Sequence, residues 1–222
     1  MIFRPKAVLF DLDGTLIDTE KFYRRCWPQS LAHFGFDMSD EQALTLRSLG
    51  RPFAPALMKE WFGESFDYAE VREYRKGLVE EAIRTEGIRV KPGAKELLEY
   101  LKEKDIIRAV TTASDVDRTT RFLGSVGLAD YFDRFCSAAD APEGKPSPDV
   151  YRMACEQLGI DPSDALAVED APNGILSAHR AGCRVVFVPD QTKEEPEVEP
   201  LCYAKVDSLS DIIDLLESGP RM

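Results

Sequence analysis

The chain has 222 residues, 44 % of them hydrophobic, with 40 acidic against 28 basic side chains and a formal net charge of −12. That length accommodates one sizeable domain or a core with a smaller insertion. The acidic balance argues against a general nucleic-acid or anionic-membrane surface, both of which need basic patches, but not against a small anionic substrate held by a few local cations.

The first element is a strand over 7–10, an apolar run of four that fits a strand covered on both faces. It runs into Asp11 and Asp13, and Gly14 follows, where the backbone can leave the strand direction at low steric cost. In open α/β sheets ligands collect beyond the carboxyl ends of the strands. Two carboxylates ~5 Å apart repel by roughly 3 kcal/mol at an effective dielectric of ~20. The pair therefore calls for a proton or a cation, and a hard divalent ion such as Mg2+ suits oxygen ligands. A surface turn uses the same residue types.

From Asp18 to Arg89 the pattern is helical. A helix over 20–33 is expected to be kinked or split at Pro28. Ser39 and Gln42 form a capping box for a short helix running to about Ser48. Helices over 52–62 and 67–85 end at Gly63 and Gly87. Beyond Gly87 helix and strand alternate, with helices over 92–103, 115–123, 148–158, 173–181 and 210–217. The strands fall at 106–111, 134–137, 165–168 and 184–188, with an edge strand within 201–206. The segment 189–200, with three prolines and five acids, is a loop. This alternation predicts an α/β fold, a Rossmann-like parallel sheet with helices on both faces. Residues 1–17 and 90–222 would form the core and 18–89 an inserted four-helix cap, opening about linkers at 17–19 and 87–90.

Three later strand ends also stop in polar residues. Thr112, Ala113 and Ser114 offer hydroxyls and backbone N–H groups to phosphate oxygens, although hydroxyls there also serve as helix caps. Lys145, between Gly144 and Pro146, is a more fixed cation than a lysine on a solvated surface. Glu169 and Asp170 form a second acidic pair at a strand tip.

The ordered series Asp11-Leu12-Asp13-Gly14-Thr15, then Thr112, then Lys145-Pro146-Ser147-Pro148, then Glu169-Asp170 resembles the four motifs of the haloacid dehalogenase superfamily. The helical insertion looks like the cap of the subfamily that contains β-phosphoglucomutases and many small-molecule phosphatases. The resemblance covers nearly the whole chain. It implies Asp11 as the nucleophile that forms an aspartyl-phosphate, and Asp13 as the general acid and then base. It further implies Mg2+ held by Asp11, the backbone carbonyl of Asp13 and Asp170, with Glu169 binding directly or through water. Thr112 and Lys145 would hold the transferring phosphoryl group.

The activity implied is a Mg2+-dependent phosphatase of small phosphomonoesters such as sugar phosphates. Dehalogenases lack the second aspartate. β-Phosphoglucomutases carry a His twelve residues after the nucleophile, where this chain has Tyr23, so transfer to water is favoured. A phosphosugar mutase is the alternative, and a non-catalytic binding protein on the same fold is a third reading.

In the cap, Arg51 lies in a loop that in this subfamily faces the catalytic centre, and it would bind a second anionic group or sugar hydroxyls. Arg47, Arg72 and Arg75 offer the same chemistry or are solvated side chains, and Tyr23 either stacks on a substrate ring or packs within the cap. The five cysteines show no paired spacing and read as reduced and mostly buried. No stretch approaches the ~20 apolar residues that span a bilayer. The expectation is a cytoplasmic monomer acting on a small phosphorylated metabolite, with no nucleic-acid or membrane partner.

Overall fold

The computed structural model describes residues 2–219. Among them β1 (Ala7–Phe10), β2 (Ile107–Thr112), β3 (Arg134–Ser137), β4 (Ala165–Glu169), β5 (Arg184–Phe187) and β6 (Ala204–Lys205) form one parallel sheet in the order β3-β2-β1-β4-β5-β6. β1 is central, with Phe10 level with Val110 of β2 and Val168 of β4. Successive strands depart in opposite directions from the β1/β4 pair, so the crevice at its carboxyl end is the topological switch point of the sheet. The edge strand expected within 201–206 shrinks to Ala204–Lys205, because a 3-10 turn over Glu199–Leu201 takes up the start of that segment.

Between β1 and β2 lie α1 (Glu20–His33), α2 (Asp40–Thr45), α3 (Phe53–Phe62) and α4 (Tyr68–Glu86). They share an apolar cluster of their own that includes Phe22, Trp27, Leu31, Met58, Val71 and Val79. Of the kink or split expected at Pro28, the split does not occur, and α1 runs through Pro28 as one helix. The lost hydrogen bond and ring clash cost about 3 kcal/mol. Burial of Phe22, Cys26, Trp27 and Leu31 along the same helix offsets this, at roughly 1.5–3 kcal/mol for each large apolar side chain. The Ser39–Gln42 capping box opens α2 as the spacing predicts. That helix ends at Thr45, short of Ser48, whose φ of 55° no α-helical residue adopts.

The remaining helices cover the sheet. α5 (Ala94–Glu103), α6 (Val116–Ser125) and α9 (Asp211–Ser218) pack with Val8, Phe10, Val110 and Val168. α7 (Asp149–Leu158) and α8 (Pro172–Ala181) pack with Ala7, Leu9, Ala109 and Ala167 on the other face. The alternation along β1 is the period-two consequence of a strand buried on both sides. The five cysteines are free, and four of them are buried.

The two connections between the helical insertion and the sheet run side by side. Asp18 N–H donates to Arg89 O at 3.0 Å, and Arg89 N–H donates to Asp18 Oδ1 at 2.8 Å. A third attachment is the loop between α2 and α3, where Gly50 N–H donates to Lys145 O at 2.8 Å and Gly144 N–H to Arg51 O at 2.6 Å. The two backbones approach so closely that a Cβ on Gly144 would lie 2.7 Å from Gly50 Cα. The Asn173 amide donates to Arg47 O at 2.8 Å, while the buried Arg47 side chain reaches Thr192 and, at 2.7 Å, Glu195. Arg47 is thus not a solvated side chain, and the acidic segment 189–200 is the sheet side of this attachment. A Gly144→Ala substitution is expected to destabilise the protein by about 1–3 kcal/mol, since the methyl must push two backbones apart. A urea melt with an unchanged midpoint would show that the loop is not held there.

Candidate active site

Adjacent strand ends converge at the switch point. Asp11 prolongs β1, its N–H donating to Val168 O at 3.0 Å, while Thr112 ends β2 and Glu169 ends β4. After Asp13 the chain turns at Gly14 with a φ of +91°, and a Cβ there would lie 2.4 Å from Asp170 Oδ2. Only glycine combines that conformation with that approach.

The Lys145 ammonium lies beneath this convergence and is fully buried. It donates to Asp11 Oδ1 and Glu169 Oε1, each at 2.6 Å, and to Thr111 O at 3.0 Å, which uses all three of its protons. The Tyr151 hydroxyl also donates to Glu169 Oε1, and the Thr15 hydroxyl donates to Asp170 Oδ1 at 3.3 Å. Asp11 Oδ2, Glu169 Oε2 and Asp170 Oδ2 are buried with no hydrogen-bond partner among the described residues. Each of the three residues offers an oxygen within 4.8 Å of the other two.

Three carboxylates against one ammonium leave uncompensated negative charge in a dry site, which is costly without a further cation. The titration of the groups shows the same deficit. Burial pushes the Asp11 carboxyl up to about 8 against the pull of Lys145, with Glu169 and Asp13 adding to the rise. Burial, then Asp11 and Glu20, holds Asp170 well above the carboxylate range. Burial alone would lower the Lys145 ammonium, but Asp11 and Glu169 overcome it and raise it. An all-oxygen, buried and orphaned donor set fits a hard divalent ion such as Mg2+.

The Asp13 side chain stands outside this cluster, half-buried. Its oxygens accept from the Thr19 hydroxyl at 2.5 Å and the Ser114 hydroxyl at 3.0 Å. Ser114, expected to hold phosphate oxygens, therefore commits its hydroxyl to Asp13. Its N–H donates to Thr112 Oγ1 at 3.0 Å, which leaves the Thr112 hydroxyl proton free.

Over Asp11 and Asp13 the helical insertion closes a cavity of about 270 Å3, near the lower end for small-molecule sites. Thr112, Ala113 and Ser114 line it from the sheet side, and Tyr23, Arg51, Arg72 and Arg75 from the insertion. Lys145, Glu169 and Asp170 lie outside its lining, Lys145 serving as the strut between two carboxylates.

Among the lining residues that sequence reasoning did not single out are Glu20 and Arg118. Glu20 is buried at the start of α1, and burial followed by Asp13 raises its carboxyl well above the usual range. An acid in the first turn of a helix is ordinary, so it carried no signal. Arg118, three residues after the Asp115 N-cap of α6, reaches the cavity from the sheet side.

Residues 8–188 match the family described as Haloacid dehalogenase-like hydrolase. Validoxylamine A 7'-phosphate phosphatase from Streptomyces hygroscopicus subsp. limoneus is 37 % identical over 183 residues, covering 80 % of this chain and 82 % of that protein. Hexitol phosphatase A from Escherichia coli (strain K12) is 33 % identical over 203 residues, covering 90 % of this chain and 92 % of that protein. Among solved structures, a variant of CbbY from Rhodobacter sphaeroides in complex with xylulose-(1,5)bisphosphate aligns with a TM-score of 0.79 at 26 % identity, covering 93 % of this chain and 96 % of that one.

Proposed function

The chain belongs to the haloacid dehalogenase-like hydrolases, and from that premise we propose that it is a Mg2+-dependent phosphatase of small phosphomonoesters, sugar phosphates foremost, acting through an aspartyl-phosphate. The observation that carries this function is the setting of Asp11. Among the described residues one of its oxygens is pinned by Lys145 and the other is unpartnered, on the floor of a polar cavity with a hydroxyl-held carboxylate, Asp13, beside it.

In this mechanism Lys145 fixes Asp11 Oδ1, which leaves Oδ2 to attack phosphorus. The oxygen–phosphorus bond of the aspartyl-phosphate forms as the ester bond breaks, and Asp13 gives its proton to the departing oxygen. Asp13 then takes a proton from a water that attacks the same phosphorus, which frees phosphate and restores Asp11. Thr19 and Ser114 aim the Asp13 carboxylate through both steps. The Thr112 hydroxyl, with its free proton, binds a phosphoryl oxygen, and the insertion excludes bulk water. Asp11, Glu169, Asp170 and the Asp13 backbone carbonyl would hold Mg2+, which when bound supplies charge neutralisation for the phosphoryl oxygens.

Transfer to water rather than to a second sugar position is supported by the histidines. Tyr23 stands in the cavity, while His33 stacks on Tyr74 at 4.1 Å and His179 lies in α8. Dehalogenation is disfavoured by Asp13. The protein is proposed to act as a monomer in the cytoplasm on a small phosphorylated metabolite, without a nucleic-acid or membrane partner. No helix among the described residues is long and apolar enough to cross a membrane.

The test is phosphate release from a panel of sugar phosphates, polyol phosphates and nucleotides, with Mg2+ and with EDTA. Release from at least one class, abolished by EDTA, is expected. Isomerisation of a hexose 1-phosphate without release would make the protein a mutase. No turnover of any kind would leave a binding protein on a catalytic fold.

A further inference from the structure

The cavity wall that α4 and α6 build carries two arginines, Arg75 at 7 % exposure and Arg118 at 9 %. A buried guanidinium ordinarily has its donors met by carboxylates or carbonyls. These do not. Among the described residues Arg75 makes no hydrogen bond or ion pair, and its Nε is buried without a partner. Arg118 has both Nε and Nη2 buried without hydrogen-bond partners, and its one ion contact is a long 3.9 Å to Glu80.

Aromatic rings hold them instead. Arg75 lies 4.4 Å from the Trp27 centroid and 4.9 Å from Tyr23, and Arg118 lies 4.8 Å from Phe122 and 5.2 Å from Tyr23. Both guanidiniums thus rest on the one Tyr23 ring. Stacking fixes a guanidinium through its face and leaves its N–H edge available for bidentate bonding to an oxyanion. Burial pulls the Arg75 group below its ordinary value, and Arg72 and Arg118 add to this, as befits a cation that lacks an anion. The chain has 40 acidic residues, yet among the described ones none forms an ion pair with Arg75. The lining also carries the carboxylates of Asp11, Asp13, Glu20 and Asp115, which repel a second anion, and the cations of Arg51, Arg72 and Lys76, which add to the attraction of the arginine wall.

We infer that Arg75 and Arg118 clamp a second, non-reacting anionic group of the substrate, so that preferred substrates carry a phosphate or carboxylate besides the phosphoryl group placed at Asp11. The inference rests on the phosphatase function proposed above. α4 belongs to the insertion and α6 to the sheet, so an anion between them also ties the two parts together over the reacting bond.

Initial rates of phosphate release test it on two matched pairs with Mg2+ present: a ketopentose 1,5-bisphosphate against its 5-monophosphate, and 6-phosphogluconate against glucose 6-phosphate. The member with two anionic groups is expected, in at least one pair, to show a kcat/KM about tenfold higher or more, and the pair that does so identifies phosphate or carboxylate as the second group. Arg75→Met and Arg118→Met keep a long stem against the rings and should bring that ratio toward one, chiefly through KM. Arg75→Lys and Arg118→Lys, which restore charge without the fork, should recover part of it. Calorimetry of the bisphosphate with the Asp11→Asn protein gives a readout without turnover, and adding Arg75→Met should weaken that binding. Phosphate release with a wild-type ratio near one in both pairs would overturn the clamp and leave the phosphatase standing, as would a high ratio that both Met variants keep. No release from any of the four compounds, with no bisphosphate binding by Asp11→Asn, would overturn the phosphatase function and the clamp with it.

Discussion

Asp11→Asn is expected to lower phosphate release by on the order of 10^4-fold or more while leaving the protein folded. The amide is isosteric with the carboxylate, and its oxygen can still accept from Lys145, which lies 2.6 Å from Asp11 Oδ1. It cannot form an acyl phosphate, because the amide nitrogen is not a nucleophile at neutral pH. Structurally the change relieves the site. Asp11 is one of three buried carboxylates facing a single ammonium, and burial already pushes its carboxyl up to about 8. Removing that charge should leave the melting temperature in EDTA equal to or above that of the wild type. A phosphate assay and a calorimetric melt on one preparation decide the matter. Activity within tenfold of the wild type would mean that another group attacks phosphorus, and a large fall in melting temperature would mean that the Asp11 charge is needed to hold the fold.

The strand tips were legible in the sequence because strands obey local rules. A short apolar run closed by polar residues is a buried strand ending at a sheet edge, and in a parallel sheet all such ends lie on one side. Asp11, Thr112 and Glu169 therefore had to converge once the alternation of helix and strand was recognised. The Ser39–Gln42 cap was equally local. What could not be read is what the docking of the insertion decides. Arg47 meets Glu195 across 148 positions, and nothing in either segment marks the pair. Arg75 was open to anion binding or to solvation and Arg118 carried no signal, and the two become one wall when α4 faces α6. At Pro28 a local penalty left a split open, and the burial that opposes it, which keeps α1 in one piece, is decided by tertiary packing. For Ser114 the sequence offered phosphate binding or helix capping, and its hydroxyl instead donates to Asp13, a contact that only the fold creates.

Lys145→Met is expected to be the most destabilising single substitution at the site, by about 3–5 kcal/mol, the usual cost of removing one partner from a buried ion pair. For a chain of this length that is roughly 10 °C in melting temperature. Methionine nearly matches the lysine stem in length, so the loss comes from charge rather than from a void. Asp11 Oδ1 and Glu169 Oε1 lose a donor at 2.6 Å, and Thr111 O loses one at 3.0 Å. Three buried carboxylates then face one another with no cation at all. The same substitution should make Mg2+ stabilise the protein more than it does the wild type. The orphaned oxygens of Asp11, Glu169 and Asp170 remain, and their uncompensated charge has grown by one. Binding to the folded state raises stability by about 2.7 kcal/mol at 100 times the dissociation constant, so a tighter site gives the larger shift at equal Mg2+. Calorimetric melts of both proteins in EDTA and in excess Mg2+ supply the four values needed. A variant that melts within about 2 °C of the wild type in EDTA would show that charge balance does not hold this cluster together. A Mg2+ shift no larger in the variant than in the wild type would show that the three carboxylates are not where the ion binds.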